Sequence, residues 1–164
     1  SPHSKSGTNR VVEPFLMMNN NNDVRCYELS SGMNKTFKVS RMSNVVLLDL
    51  EWGNEAKHKQ IFTDLFMFSG EERLPVKLKL DRLAYSLMVE EYPKSADFIV
   101  ELSDESAEIG DDAPKYWLLS IEVASYLGIS RFVLGLYSHV EIIDSPDFLE
   151  FVNGEIKKMY ARCR

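Results

Sequence analysis

The first fifty residues alternate between polar and apolar positions over short stretches, whereas the later part of the chain carries longer helical spacings. Val24 to Leu29 and Thr36 to Arg41 each alternate, with Phe37 and Val39 on one face, and Asn19 to Asp23 and Gly32 to Asn34 read as polar turns between them. Val45 to Leu50 is a continuous apolar run and is expected to be a further strand. Several short strands in so little sequence predict a small β-barrel, because closing the sheet removes its exposed edges. Ile61, Phe62, Leu65, Phe66 and Phe68 then recur at helical spacing before Gly70, so a helix over 57–69 is expected to end this part.

Glu71, Glu72, Arg73 and Pro75 form a charged joint, which divides the chain into expected domains 1–70 and 71–164. Leu74, Val76, Leu78 and Leu80 alternate with Lys77 and Lys79, the pattern of a strand with one buried face. A helix from Arg82 to Glu91, strands at Phe98 to Leu102 and Tyr116 to Glu122, a helix from Ala124 to Leu136 and a strand at Val140 to Ile143 complete the order βαββαβ. Two helices over one face of an antiparallel sheet make this second part ferredoxin-like, and the whole chain α+β. Ser145-Pro146-Asp147 is expected to cap a final helix whose apolar stripe is Phe148, Phe151, Val152, Ile156 and Met159.

Charge divides along the same line. Residues 1–50 hold six Lys/Arg against four Asp/Glu, and the remainder holds 13 against 21, so the overall charge of −6 belongs to the second part. A locally positive first part can attract a phosphate-bearing partner that a uniformly acidic protein would repel. No apolar run is long enough to cross a bilayer and the start does not resemble a secretory signal, which leads to an expected cytoplasmic location. Cys26 and Cys163 are far apart and read as free thiols. The chain begins Ser-Pro-His, so it is expected to be a portion of a longer protein.

The sequence holds no P-loop, no G-x-S-x-G, no H-E-x-x-H and no G-x-G-x-x-G, so no enzyme activity, catalytic residue, metal site or cofactor is assigned. His3, His58 and His139 fall on a tail, a helix start and a helix end, where solvated or locally bonded roles are expected. Asp104, Glu105, Glu108, Asp111 and Asp112 do not have EF-hand spacing and read as a solvated hairpin loop. Tyr116, Trp117 and Phe132 read as core. Arg41 is more informative: strand parity puts it on the face of Phe37 and Val39, where an unpaired guanidinium is costly and needs an anion. For Arg10 and Arg41 that anion is either a structural acid (Glu13, Glu28 or Asp49) or a ligand phosphate or carboxylate.

Three motifs in order resemble the WYL-domain family followed by its C-terminal extension, the WCX domain. Arg10-Val11-Val12-Glu13-Pro14 is similar to the family's R-x-V-x-P strand, Val24-Arg25-Cys26-Tyr27 lies in the segment that names it, and Phe37 to Met42 is similar to F-x-x-x-R-[IM]. The strand from Leu74, the Tyr116-Trp117 strand and the run from Val140 to Pro146 resemble the extension, so the likeness spans nearly the whole chain. The Trp-Tyr-Leu triplet itself is not present; Asn22, Asp23 and Val24 stand near its place.

The resemblance implies that the barrel is Sm-like or SH3-like and is the ligand-sensing module of a bacterial transcriptional regulator, binding single-stranded nucleic acid or a nucleotide-like effector, forming a homodimer and preceded by a helix-turn-helix domain. It implies Arg10 and Arg41 as anion contacts, with Ser4, Lys38 and Tyr27 as lesser candidates for phosphate bonding or base stacking. A competing expectation is a dimerisation or assembly module without a ligand. An enzyme acting on nucleotides has no nucleophile or metal constellation to support it.

Overall fold

The computed structural model describes residues 7–102 and 115–163 and is α+β. The chain divides into two compact units, Ser1–Gln60 and Ile61–Arg164. Ser4, His3 and the acidic cluster of 104–112 lie outside the described residues.

In the first unit β1 (Val12–Met18), β2 (Asp23–Glu28) and β3 (Met33–Lys38) form an antiparallel meander in the order β1-β2-β3. The asparagine run has a backbone reason: Asn19, Asn20 and Asn21 all take left-handed φ, of 52°, 53° and 65°, a conformation that asparagine tolerates better than most residues. Gly32, at φ 63°, turns β2 into β3. The central strand β2 is buried from Val24 to Glu28. In β1 the register shifts between Pro14 and Leu16, a bulge that leaves Phe15 without an opposite residue.

Two expectations fail here. The third strand stops at Lys38, and Val39–Arg41 form a 3-10 turn, so Arg41 does not continue the face of Phe37. Val45 to Leu50 is not a strand: it pairs with no strand among the described residues, and these apolar side chains are exposed, Leu47 at 98%. Strand character depends on a neighbour to pack and bond against, which an apolar run by itself does not supply.

The expected helix over 57–69 is also absent. A 3-10 turn at Glu55–Lys57 is followed by a tight hairpin of β4 (Phe62–Thr63) and β5 (Ser69–Gly70) in the second unit. Asp64 explains the difference. Its buried carboxylate accepts from the backbone N–H groups of Phe66 (2.9 Å), Phe68 (3.1 Å) and Ala124 (3.0 Å), offering the chain an alternative to helical bonding. Met67, at φ 67°, closes the turn.

The remainder follows the sequence pattern closely. Its elements are β6 (Leu74–Leu80), α1 (Arg82–Glu91), a 3-10 turn at Pro93–Phe98, β7 (Ile99–Leu102), β8 (Tyr116–Val123), α2 (Tyr126–Gly135), β9 (Val140–Ile143) and α3 (Pro146–Arg162). The sheet runs β7-β8-β6-β9 with every neighbour antiparallel. Val76, Leu78 and Leu80 bury one face of β6 against Met88, Ile129, Phe132, Phe148 and Val152. Asp81 caps α1 through the Ala84 N–H at 3.0 Å and Ser125 caps α2 through Leu127 at 3.2 Å. Ser145 does not cap α3 as expected; its hydroxyl accepts from the Lys77 N–H (2.8 Å) and donates to Ile143 (2.9 Å), tying the strand edge instead. Trp117 stacks on Tyr85 with centroids 4.3 Å apart. No helix among the described residues is long and apolar enough to cross a membrane.

Candidate functional site

Arg10, two residues before β1 begins, forms an ion pair with Glu28 at the end of β2. Glu28 is buried and also takes bonds from the Lys35 amine and the Ser31 hydroxyl. The Lys35 bond, then those of Ser31 and Arg10, hold the Glu28 carboxyl down at about 2, so it stays ionised. Of the two anions open to Arg10 on sequence grounds, the protein's own acid is the one present. The guanidinium also lies 5.6 Å from the centroid of the Phe37 ring and keeps 41% of its side-chain surface exposed.

Arg41 is placed differently. It ends the 3-10 turn after β3, is exposed, and among the described residues has no ion-pair partner. Lys38, also exposed, pairs in register with Asp23 at the strand end. Tyr27 is only 5% exposed in the central strand, with the Lys57 amine 5.9 Å from its ring centroid, so its ring is packing rather than a stacking platform. Among the described residues no hydrogen bond, ion pair or ring contact joins Arg10, Tyr27, Lys38 and Arg41 to one another.

A buried polar centre of this unit was not among the candidates. The buried carboxylate of Glu13, in β1, contacts His58 Nε2 at 2.7 Å and accepts from the Gly53 N–H (2.8 Å), the Asn54 N–H (3.2 Å) and the Asn54 side-chain amide (3.2 Å). Burial pushes the Glu13 carboxyl up, but the bonds from His58, Gly53 and Asn54 outweigh it and hold the group below the usual carboxylate value. His58 stacks on Phe15 at 4.5 Å, which the bulge in β1 leaves available, and meets Trp52 at 5.0 Å. Asn34 binds the Lys57 carbonyl (2.9 Å) and buried Arg25 the Lys59 carbonyl (3.2 Å). Residues 52–59 are thereby fastened to the meander from several directions. The sequence signal was a carboxylate inside an apolar strand segment, Val12-Glu13-Pro14, whose partner could not be named without the fold.

The second unit holds a cleft of about 210 Å³ lined by Phe66, Phe68, Glu91, Tyr92, Gly128, Arg131 and Phe132. Among the described residues no three His, Cys, Asp or Glu gather to hold a metal ion. Comparison with models of known protein families, with curated proteins and with solved structures finds no match for this chain.

Proposed function

We propose that this chain is the effector-sensing part of a bacterial, cytoplasmic transcriptional regulator of WYL type, and that its effector is anionic: single-stranded nucleic acid or a nucleotide. In this reading the first unit is an Sm-like or SH3-like barrel, the second a ferredoxin-like extension of WCX type that assists homodimerisation, and a helix-turn-helix domain precedes Ser1. The order of the three motifs supports the family, and the antiparallel order β7-β8-β6-β9 with helices between the strands supports the form of the second unit.

The observation that carries the anionic effector is Arg41: an exposed guanidinium beside the end of β3, without an acid to neutralise it among the described residues. Lys38 adds a second exposed cation three residues earlier. Arg10 takes a lesser part than its motif implies, because Glu28 already holds it and only its exposed edge is left for a ligand. Titration of short labelled DNA and RNA at low salt tests the reading. Binding that weakens with salt and with Arg41→Ala supports it; equal affinity of the wild type and that variant, or no binding, contradicts it.

A second reading, an assembly module without a ligand, is favoured by the exposed apolar run Val45 to Leu50. Sedimentation of Leu47→Asp tests it: loss of self-association with anion binding intact assigns this run to assembly alone.

A further inference from the structure

We infer that Trp52 is the base-stacking residue of the effector site, taking the face of a nucleobase while neighbouring cations take its phosphate. The inference rests on the nucleic-acid reading above and deepens it.

An unpaired base needs an aromatic surface that is both accessible and already held in position. Around His58 the first unit gathers a cluster of four aromatic rings, and three of them are spent on one another. Tyr27 is buried in β2, Phe15 is stacked against His58, and the His58 side chain is 7% exposed. Trp52 is the member of the cluster left 47% exposed.

Its exposure does not come from a loose loop. The next two residues, Gly53 and Asn54, donate their backbone N–H groups to the buried Glu13 carboxylate. The indole itself stands at 76° to the imidazole of His58, which the same carboxylate grips through Nε2. One buried acid therefore fixes both the backbone beside Trp52 and the ring against which it rests. A large ring held this way loses little freedom when a ligand stacks on it. Lys57 and Lys59 are exposed on the same fastened segment and supply positive charge for the ligand's backbone.

The test uses the intrinsic fluorescence of the full chain, whose two tryptophans are Trp52 and Trp117. In a Trp117→Phe protein Trp52 is the sole reporter. It is titrated with a short single-stranded oligonucleotide and, separately, with an abasic strand carrying the same number of phosphates. Anisotropy of a label on the strand reports binding independently of the tryptophan. The expected result is binding of both strands, quenching of Trp52 by the base-bearing strand alone, and a loss of about tenfold or more in its affinity on Trp52→Ala. Trp52→Phe is expected to keep most of that affinity. Should Trp117→Phe not fold, the same quenching is read as the difference between wild type and Trp52→Phe.

Binding of both strands with Trp52 emission unchanged, or with Trp52→Ala binding as wild type, overturns stacking while leaving the effector reading in place. Failure of both strands to bind overturns that reading and the stacking with it. A blue shift of Trp52 emission with rising protein concentration and no response to either strand would give this surface to a protein partner and overturn the inference.

Discussion

The carboxylate of Glu13 and the imidazole of His58 meet at 2.7 Å inside the first unit, joining residues 45 positions apart in the chain. The contact converts the segment after the meander from a free connection into a fixed surface, with Trp52 at its edge. Glu13→Gln retains shape and some hydrogen bonding but loses the charge that faces His58. It is expected to lower the melting temperature of the first unit and to raise amide exchange at Gly53 and Asn54, while leaving exchange in α1 to α3 unchanged. Hydrogen exchange followed by mass spectrometry reads both regions in one experiment.

The two buried acids of the first unit predict a direction of pH dependence. Glu13 and Glu28 both have folded pKa values below the ordinary value of 4.5, Glu28 at about 2. A lowered folded value means that the unfolded chain binds protons first, so their contribution is present above 4.5 and is lost as pH falls towards the folded values. For Glu28 the window runs from 4.5 down to about 2. Denaturant unfolding across this range is expected to show falling stability in the wild type and a shallower fall in Glu28→Gln.

Gly128 lies where α2 meets the hairpin of β4 and β5. A Cβ there would fall 2.3 Å from the Cβ of Phe66, two groups that cannot move apart without shifting backbone. Gly128→Ala is therefore expected to cost about 1 to 3 kcal/mol despite the better helix propensity of alanine. Urea unfolding of the variant checks it.

Asp64 is the reason that hairpin exists. Asp64→Ala leaves the N–H groups of Phe66, Phe68 and Ala124 without their acceptor and is expected to destabilise the second unit by about 1 to 3 kcal/mol or more. Asp64→Asn, which keeps acceptor oxygen, is expected to recover part of the loss in the same urea experiment.

Asp64 also marks the boundary of what local pattern reveals. Between Leu74 and Ile143 the strand alternation and the capped helices are written in neighbouring residues, and the elements stand close to their expected bounds. Over 57–69 the apolar spacing suited a helix, but one side chain bonding across the turn outweighed it. Val45 to Leu50 has strand composition but, among the described residues, no strand to pair with, which composition does not report. The candidate site was legible in the same uneven way. The arginines could be picked out as unusual, yet whether each faces Glu28 or solvent depends on contacts across the meander, and Glu13 and His58 become partners only once the chain has folded back.

Arg41 decides the account, because its charge, exposed and unpaired among the described residues, is what the anionic effector requires. The salt dependence of oligonucleotide binding, measured for wild type and Arg41→Gln between about 50 and 200 mM salt, addresses that charge directly. The account predicts weaker binding by the variant and a log–log salt slope reduced by about one phosphate contact. Identical affinities and identical slopes would contradict it.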